Sequence, residues 1–237
     1  MPTTGEDLRD FRRAGYESPR PDVQELVPPR ARRVLDLGCS SGSVGAALKE
    51  RQGAEVVGIE LDPVYGQAAS ARLDTVLVGD LEELAGSHEL RRLGRFDCVV
   101  AADVLEHLRD PWSVLVAAVE LLDDGGTAVI SVPNVRHWLT FWQLGRRGTW
   151  PRWDAGLFDR SHLRWFALGD ARRLMEGAGL RVTRVAPVYR LNPSRWQSEG
   201  RGRRFARTPL GPFFVFQYVL AGVKEPVPSR AADRPGP

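Results

Sequence analysis

The feature that most constrains this chain is a regular alternation of short apolar runs with helix-forming segments. Runs at 33–37, 55–60, 75–78, 96–101 and 127–132 are mostly near-continuously apolar, as expected of strands buried on both faces. Helix-forming stretches lie between them at 44–51, 63–72, 87–93 and 111–122. In the last, Trp112, Leu115, Val116, Val119 and Leu122 recur at helical spacing. Asp123-Asp124-Gly125-Gly126 then reads as a turn into the fifth strand. Strands and helices alternating in this way predict a doubly wound α/β sheet, mainly parallel. The alternation breaks at Pro133. It resumes with a helix at 168–178 ended by Gly179, a strand at 181–189 and a final strand at 213–223.

A chain of 237 residues with 43% hydrophobic content can bury one such domain with additions. No apolar run reaches the ~18 residues that suit a membrane span. The N-terminal residues lack a basic stretch followed by an apolar one, so no secretory leader is expected. Cys39 and Cys98 fall at strand ends and read as packing residues rather than a disulfide. These points make a cytoplasmic protein the expectation. The net charge is +3, and of 33 basic residues only Lys49 and Lys224 are lysine. The arginines concentrate after Pro133. They reflect either a codon bias or a face that binds phosphate or carboxylate.

The organisation follows. Residues 1–31 form a polar, Pro-containing N-terminal extension with a short helix near 22–26, and 32–224 form the domain. Segments 133–166 and 191–211, rich in Trp and Arg, are expected to cap the carboxyl ends of the strands, where α/β sheets bind ligands. The Pro-rich 225–237 is expected to be a disordered tail.

The first strand runs directly into a loop of small residues, in Arg33-Val-Leu-Asp-Leu-Gly-Cys-Ser-Ser-Gly-Ser-Val-Gly45. A strand–loop–helix of this kind brings backbone N–H groups and a positive helix end to a ligand. A dinucleotide loop would read Gly-x-Gly-x-x-Gly, whereas Gly38 and Gly42 are separated by Cys39, Ser40 and Ser41. Asp36 sits inside the strand end and would repel a pyrophosphate, while it would attract an ammonium group. Glu60 ends the second strand roughly 20 residues after Gly38, the place of a ribose-binding acid. Asp80 ends the third strand in Val78-Gly79-Asp80-Leu81 and also suits a helix N-cap. A serine at position 40 is expected to keep ordinary backbone angles and to alter the loop slightly.

Together with Ala102-Asp103-Val-Leu-Glu106-His107-Leu after the fourth strand, these motifs resemble the class I S-adenosylmethionine (SAM) methyltransferases. They are most similar to the small-molecule branch that includes ubiquinone-type and sugar- or polysaccharide-associated enzymes. The resemblance extends through Ser131-Val-Pro-Asn-Val-Arg-His-Trp138 and the run from Gly148 to Phe166, and covers roughly residues 16–224. It implies a seven-stranded Rossmann-like sheet with an antiparallel last strand. It implies a SAM site made by Asp36, Gly38, Cys39, Ser40, Gly42, Glu60, Leu61, Asp80, Leu81 and Ala102, with the demethylated product S-adenosylhomocysteine (SAH) left behind. The acid of the first strand would face the methionine ammonium, Glu60 the ribose diol and Asp80 the adenine amino group.

The expected reaction is O-methylation of a small molecule, most readily a sugar or glycosylated metabolite, and the arginines allow an anionic one. His107 is a candidate general base, or a residue that shapes the turn. His162, with Asp159 and Arg164 nearby in sequence, is a second catalytic candidate or a buried core histidine. His137 is a weaker one. The spacing of Asp103, Glu106 and His107 resembles a divalent-metal site proposed for ubiquinone-type enzymes, but no metal is assigned. Two alternatives stay open: an RNA methyltransferase and a SAM-binding partner without catalysis. Base-amine and cytosine C5 enzymes carry motifs after the fourth strand that Ala101-Ala-Asp-Val lacks. No nucleic-acid partner is therefore expected, and the oligomeric state is not read from the sequence.

Overall fold

The computed structural model describes residues 17–189, 208 and 210–225. The strands are β1 Arg33–Leu37, β2 Glu55–Glu60, β3 Thr75–Val78, β4 Phe96–Ala102, β5 Leu122–Pro133, β6 Leu180–Tyr189 and β7 Val215–Lys224. The helices are α1 Pro21–Gln24, α2 Ser43–Gln52, α3 Pro63–Ser70, α4 Leu81–Leu84, α5 His88–Arg92, α6 Pro111–Glu120, α7 Trp138–Phe141 and α8 Leu168–Gly177. The strands form one sheet in the order β3-β2-β1-β4-β5-β7-β6. Pairing is parallel from β3 to β5, and β7 runs antiparallel to both β5 and β6. Winding therefore reverses direction beside β1, and a crevice opens there at the carboxyl ends of β1 and β4.

The pleat sorts the apolar residues onto two faces. Leu35, Leu37, Ile59, Val99 and Ala101 join a core with Leu115 of α6 and Leu174 of α8. Val34, Val56, Cys98 and Val100 face the other core, with Leu48 of α2 and Ala69 of α3. Both faces of the central strands are covered, which explains why those strands are near-continuously apolar.

Several local expectations change. In α6, Trp112 and Val116 are 49% and 39% exposed, while Val114, Leu115, Ala118 and Val119 are buried. The helix lies flat on the sheet, and only part of its apolar surface is covered. The turn read at 123–126 is instead a bulge inside β5, where pairing jumps from Phe96↔Leu122 to Cys98↔Thr127. The last strand begins at Val215, because Gly211–Phe213 makes one tight helical turn. The segment read as an N-terminal extension is part of the core over its described length. Val23, Leu26, Val27 and Ala31 are at most 4% exposed and share the second core with Val100, Val129 and Val219.

After β5 the chain forms α7, a wide helical turn over Trp142–Arg146, and an irregular return to α8. This insertion has its own small core of Leu139, Leu157, Phe158 and Phe216, with Trp150 and Trp153 packed against it. Trp150 and Trp153 each meet Phe158 edge-on with ring centroids 5.0 Å apart. Buried Asn134 anchors its base by donating to the carbonyls of Pro212 and Val215 at 2.9 and 2.8 Å. Of the second Arg-rich segment, 191–211, only Thr208, Leu210 and Gly211 lie within the described residues, and of the tail only Glu225. No described helix is long and apolar enough to cross a membrane.

Candidate active site

Gly38 turns the chain out of β1 with φ +63°, and a Cβ there would lie 2.4 Å from Val104 Cγ2. Glycine is required both for the angle and for the approach of the β4 exit. Ser40 departs from the expected ordinary backbone: its φ is +49°. This left-handed turn lets the Ser40 N–H donate to Glu60 Oε2 at 2.8 Å, which offsets the roughly 1–2 kcal/mol such an angle costs a non-glycine residue. The loop thus keeps the conformation that a glycine would adopt.

Three acids stand at three successive strand ends and line one cavity of about 1040 Å³. Asp36 is 2% exposed, and its Oδ2 has no hydrogen-bond partner among the described residues. Burial, and secondarily the charge of Glu60, push its pKa up to about 7. Glu60 accepts from Ser40 N at one oxygen and from Asp62 N at the other, both at 2.8 Å. Burial raises its pKa against the pull of these backbone donors. A carboxylate offers about four acceptor positions, so Glu60 retains capacity for a ligand. Asp80 caps α4 through Oδ1, which accepts from Glu82 N at 2.8 Å, and it lines the cavity as well. Gly38, Cys39, Ser40, Leu61, Leu81 and Ala102 line it too, while Gly42 stands behind at the start of α2. Leu61 is 66% exposed. Burial drives the Cys39 thiol pKa up, so it is a packing residue and not a nucleophile.

The insertion lines this cavity as well. Arg152, Trp153, Asp154, Gly156, Leu157, Asp159 and His162 line the same cavity as Asp36 and Glu60. His107, on the 3₁₀ turn Leu105–His107 after β4, meets His162 edge-on with ring centroids 4.8 Å apart. The join is made by backbone: the Glu106 carbonyl accepts from Leu163 N at 2.8 Å and from Arg164 N at 3.0 Å. Burial, then the neighbouring His107, lower the His162 pKa to about 4, so its ring is neutral at pH 7. Glu106 is 1% exposed and neither carboxylate oxygen has a hydrogen-bond partner among the described residues. Burial, then Asp103, hold its pKa well above the ordinary value. His137 lies apart from the cavity; it is 2% exposed and caps α7 through Nδ1.

Asp103 does not join Glu106 and His107 as their spacing would have it. Its backbone is left-handed, φ +59°, and its carboxylate is held by Arg20, Gln217 and Ser131. Arg20 also donates to both oxygens of Asp22, at 3.0 and 2.9 Å. Burial alone would lower the Arg20 pKa, but Asp103 and Asp22 more than offset it and raise it. Arg20 carried no signal in the sequence, since it sits in a polar, Pro-rich stretch far from any motif. Gln217 signalled itself only as the one polar residue of an apolar strand.

Residues 10–185 match the model of a methyltransferase domain family. The chain belongs to that family, within the class I SAM-dependent methyltransferases. Ubiquinone biosynthesis O-methyltransferase of Psychrobacter arcticus is 35% identical over 130 residues, covering 52% of this chain and 49% of that protein. The Escherichia fergusonii protein of the same name is 30% identical over 112 residues, 46% of each chain. The chain thus matches about half the length of these curated relatives. Among solved structures, a SAM-dependent methyltransferase from Thermotoga maritima superposes with TM-score 0.61 at 20% identity, covering 93% of this chain and 94% of that one. Magnesium protoporphyrin IX methyltransferase from Synechocystis, with bound SAH, gives 0.60 at 18% identity, covering 94% and 89%. At this identity the two show a shared fold, here a Rossmann-like, seven-stranded sheet.

Proposed function

We propose that the protein binds SAM at Asp36, Glu60, Asp80 and the 38–42 loop and transfers its methyl group to a hydroxyl of a small molecule held under the insertion. The observation that carries this reading is one cavity with two chemically different ends. Three acids at strand ends form one end, and His107 and His162 form the other. The buried, unpartnered Asp36 oxygen fits an ammonium group, which would keep the carboxylate ionised. Glu60 fits a ribose diol, and Asp80 beside Leu81 fits an adenine ring and its amino group. The volume is at the upper end of ordinary ligand pockets, ~300–1,000 Å³, which suits a nucleoside cofactor and an acceptor together.

SAM supplies a methyl group already activated on a sulfonium: the acceptor oxygen forms the new C–O bond, the C–S bond breaks, and its electron pair stays on sulfur. The chain's own residues position the two reactants and exclude water. A hydroxyl also has to lose its proton, and His107 and His162 are the residues that activate it. Among the described residues, the lining carries nine Asp and Glu residues against Arg20 and Arg152. Arg20 is already engaged. That balance of described residues favours a neutral polyhydroxyl or phenolic acceptor over an anionic one.

Two measurements test the proposal. Calorimetry with SAH should give binding that Glu60→Ala weakens by ~1–3 kcal/mol, the scale of a charge-assisted hydrogen bond; unchanged affinity would sink the cofactor assignment. A turnover screen of sugars, nucleotide sugars, phenols, amines and RNA then identifies the acceptor. Methylation of amines or RNA alone would overturn the hydroxyl reading, and SAH binding without turnover on any acceptor would favour a non-catalytic partner.

A further inference from the structure

We propose that Glu106, His107 and His162 form a binding site for one divalent transition cation of the zinc type at the acceptor end of the cavity. The inference rests on the reading above for its chemistry, not for the binding itself. The site is not the triple that sequence spacing picks out. Asp103 is diverted into its contacts with Arg20, Gln217 and Ser131, and the third ligand comes from the insertion instead.

Three observations converge. One ligand atom from each of Glu106, His107 and His162 lies within 4.8 Å of the other two. Metal–nitrogen bonds of ~2.0–2.1 Å allow at most about 4.2 Å between opposite ligand atoms, so binding draws the side chains slightly inward. Each imidazole is also oriented from behind: His107 Nδ1 lies 3.3 Å from the Ser161 carbonyl oxygen, and His162 Nδ1 lies 3.3 Å from that of Leu157. A carbonyl only accepts, so each Nδ1 carries the proton and each Nε2 is left as a lone pair. Metal-holding histidines are oriented in this way. The last observation is Glu106 itself. A buried carboxylate with neither oxygen hydrogen-bonded among the described residues is costly unless a cation or a proton joins it.

The donor set decides the cation. Two imidazoles and one carboxylate suit zinc, cobalt, iron or manganese; magnesium and calcium take oxygen ligands. Three protein ligands leave a position open for a further oxygen, as in catalytic zinc sites. A cation there lowers the pKa of an acceptor hydroxyl bound in that position. The hydroxyl proton passes to solvent, and the oxygen pair is freed for the methyl carbon. The two histidines then activate the hydroxyl by holding the cation. The Glu106 carbonyl, bonded to Leu163 N and Arg164 N, ties the two ligand-bearing segments together, so the site exists only when the insertion is docked.

The test uses the full chain, stripped with a chelator and titrated with Co²⁺ as a spectroscopic substitute for zinc. The expected result is one equivalent bound, with visible d–d bands of a nitrogen-containing site. Glu106→Gln, His162→Ala and His162→Gln should each weaken binding by at least ~100-fold, more than loss of a partner behind a ligand usually does. Asp103→Asn should keep the site. SAH affinity, measured without metal in each variant, reports that the protein is folded. Absence of stoichiometric cobalt in the wild type would overturn the proposal. So would wild-type cobalt affinity in either His162 variant, or loss of cobalt in an Asp103→Asn protein that still binds SAH. Failure of wild-type SAH binding refutes the cofactor reading instead, and leaves the cobalt result to stand or fall alone.

Discussion

Replacing Asp36 by Asn should make the fold more stable and the cofactor site weaker at the same time. Asp36 is 2% exposed, and burial first, Glu60 second, raise its pKa from the ordinary 3.8 to about 7. The folded protein therefore holds this proton more tightly than the unfolded chain. Its contribution to stability is fully present below about pH 4 and is lost as the pH rises through about 7. A shift of roughly three units at about 1.36 kcal/mol each sets an upper bound of about 4 kcal/mol on the cost of the charged form. Asn stays neutral at every pH but still buries a polar amide, so the expected gain at pH 8 is about 1–3 kcal/mol. In a chain of this size that is about 2–4 °C of melting temperature per kcal/mol. The assay is thermal or denaturant unfolding of ligand-free wild type and Asp36→Asn between pH 4 and 8. The two curves should converge near pH 4, separate progressively as the pH rises from there, and run parallel above about pH 7. SAH affinity should fall by ~1–3 kcal/mol in the same variant, through loss of a charge-assisted contact. A stability difference that does not change with pH, or a variant less stable than wild type at pH 8, would refute the argument.

Three further outcomes are expected. Gly38→Ala meets both a positive φ of +63° and a 2.4 Å contact with Val104, and should destabilise by about 1–3 kcal/mol in denaturant titration; a neutral effect would mean the loop can relax. Arg20→Met removes the cation facing Asp103, whose side chain is 31% exposed. The loss should therefore fall below the ~3–5 kcal/mol of a fully buried pair, at about 1–3 kcal/mol, measured by unfolding at pH 7. His107→Ala and His162→Ala should lower turnover by ~10²–10⁴ while leaving SAH affinity intact, and full activity in both would remove them from the chemistry.

The parallel half of the fold was legible because its signals are local. β1 and β2 begin and end where the apolar runs do, since a strand covered on both faces allows few polar residues. Asp36 and Glu60 were legible for the same reason: an acid stands out at the end of such an apolar strand. What depended on distant contacts was not legible. Nothing near Ser40 says that its backbone turns left-handed; the Glu60 carboxylate waiting for its N–H does. The helical stripe of α6 was visible, but which part of it the sheet covers was not. The spacing of Asp103, Glu106 and His107 put three ligand types side by side. Only tertiary structure sends Asp103 to Arg20 and Gln217 and brings His162 to Glu106 and His107. A side chain's periodicity is set by its own backbone, whereas its partner is set by whichever charged or polar group the fold buries beside it. Burying an acid without one costs more than bending a backbone into a strained angle, so the long-range pairings decided the chemistry of this site.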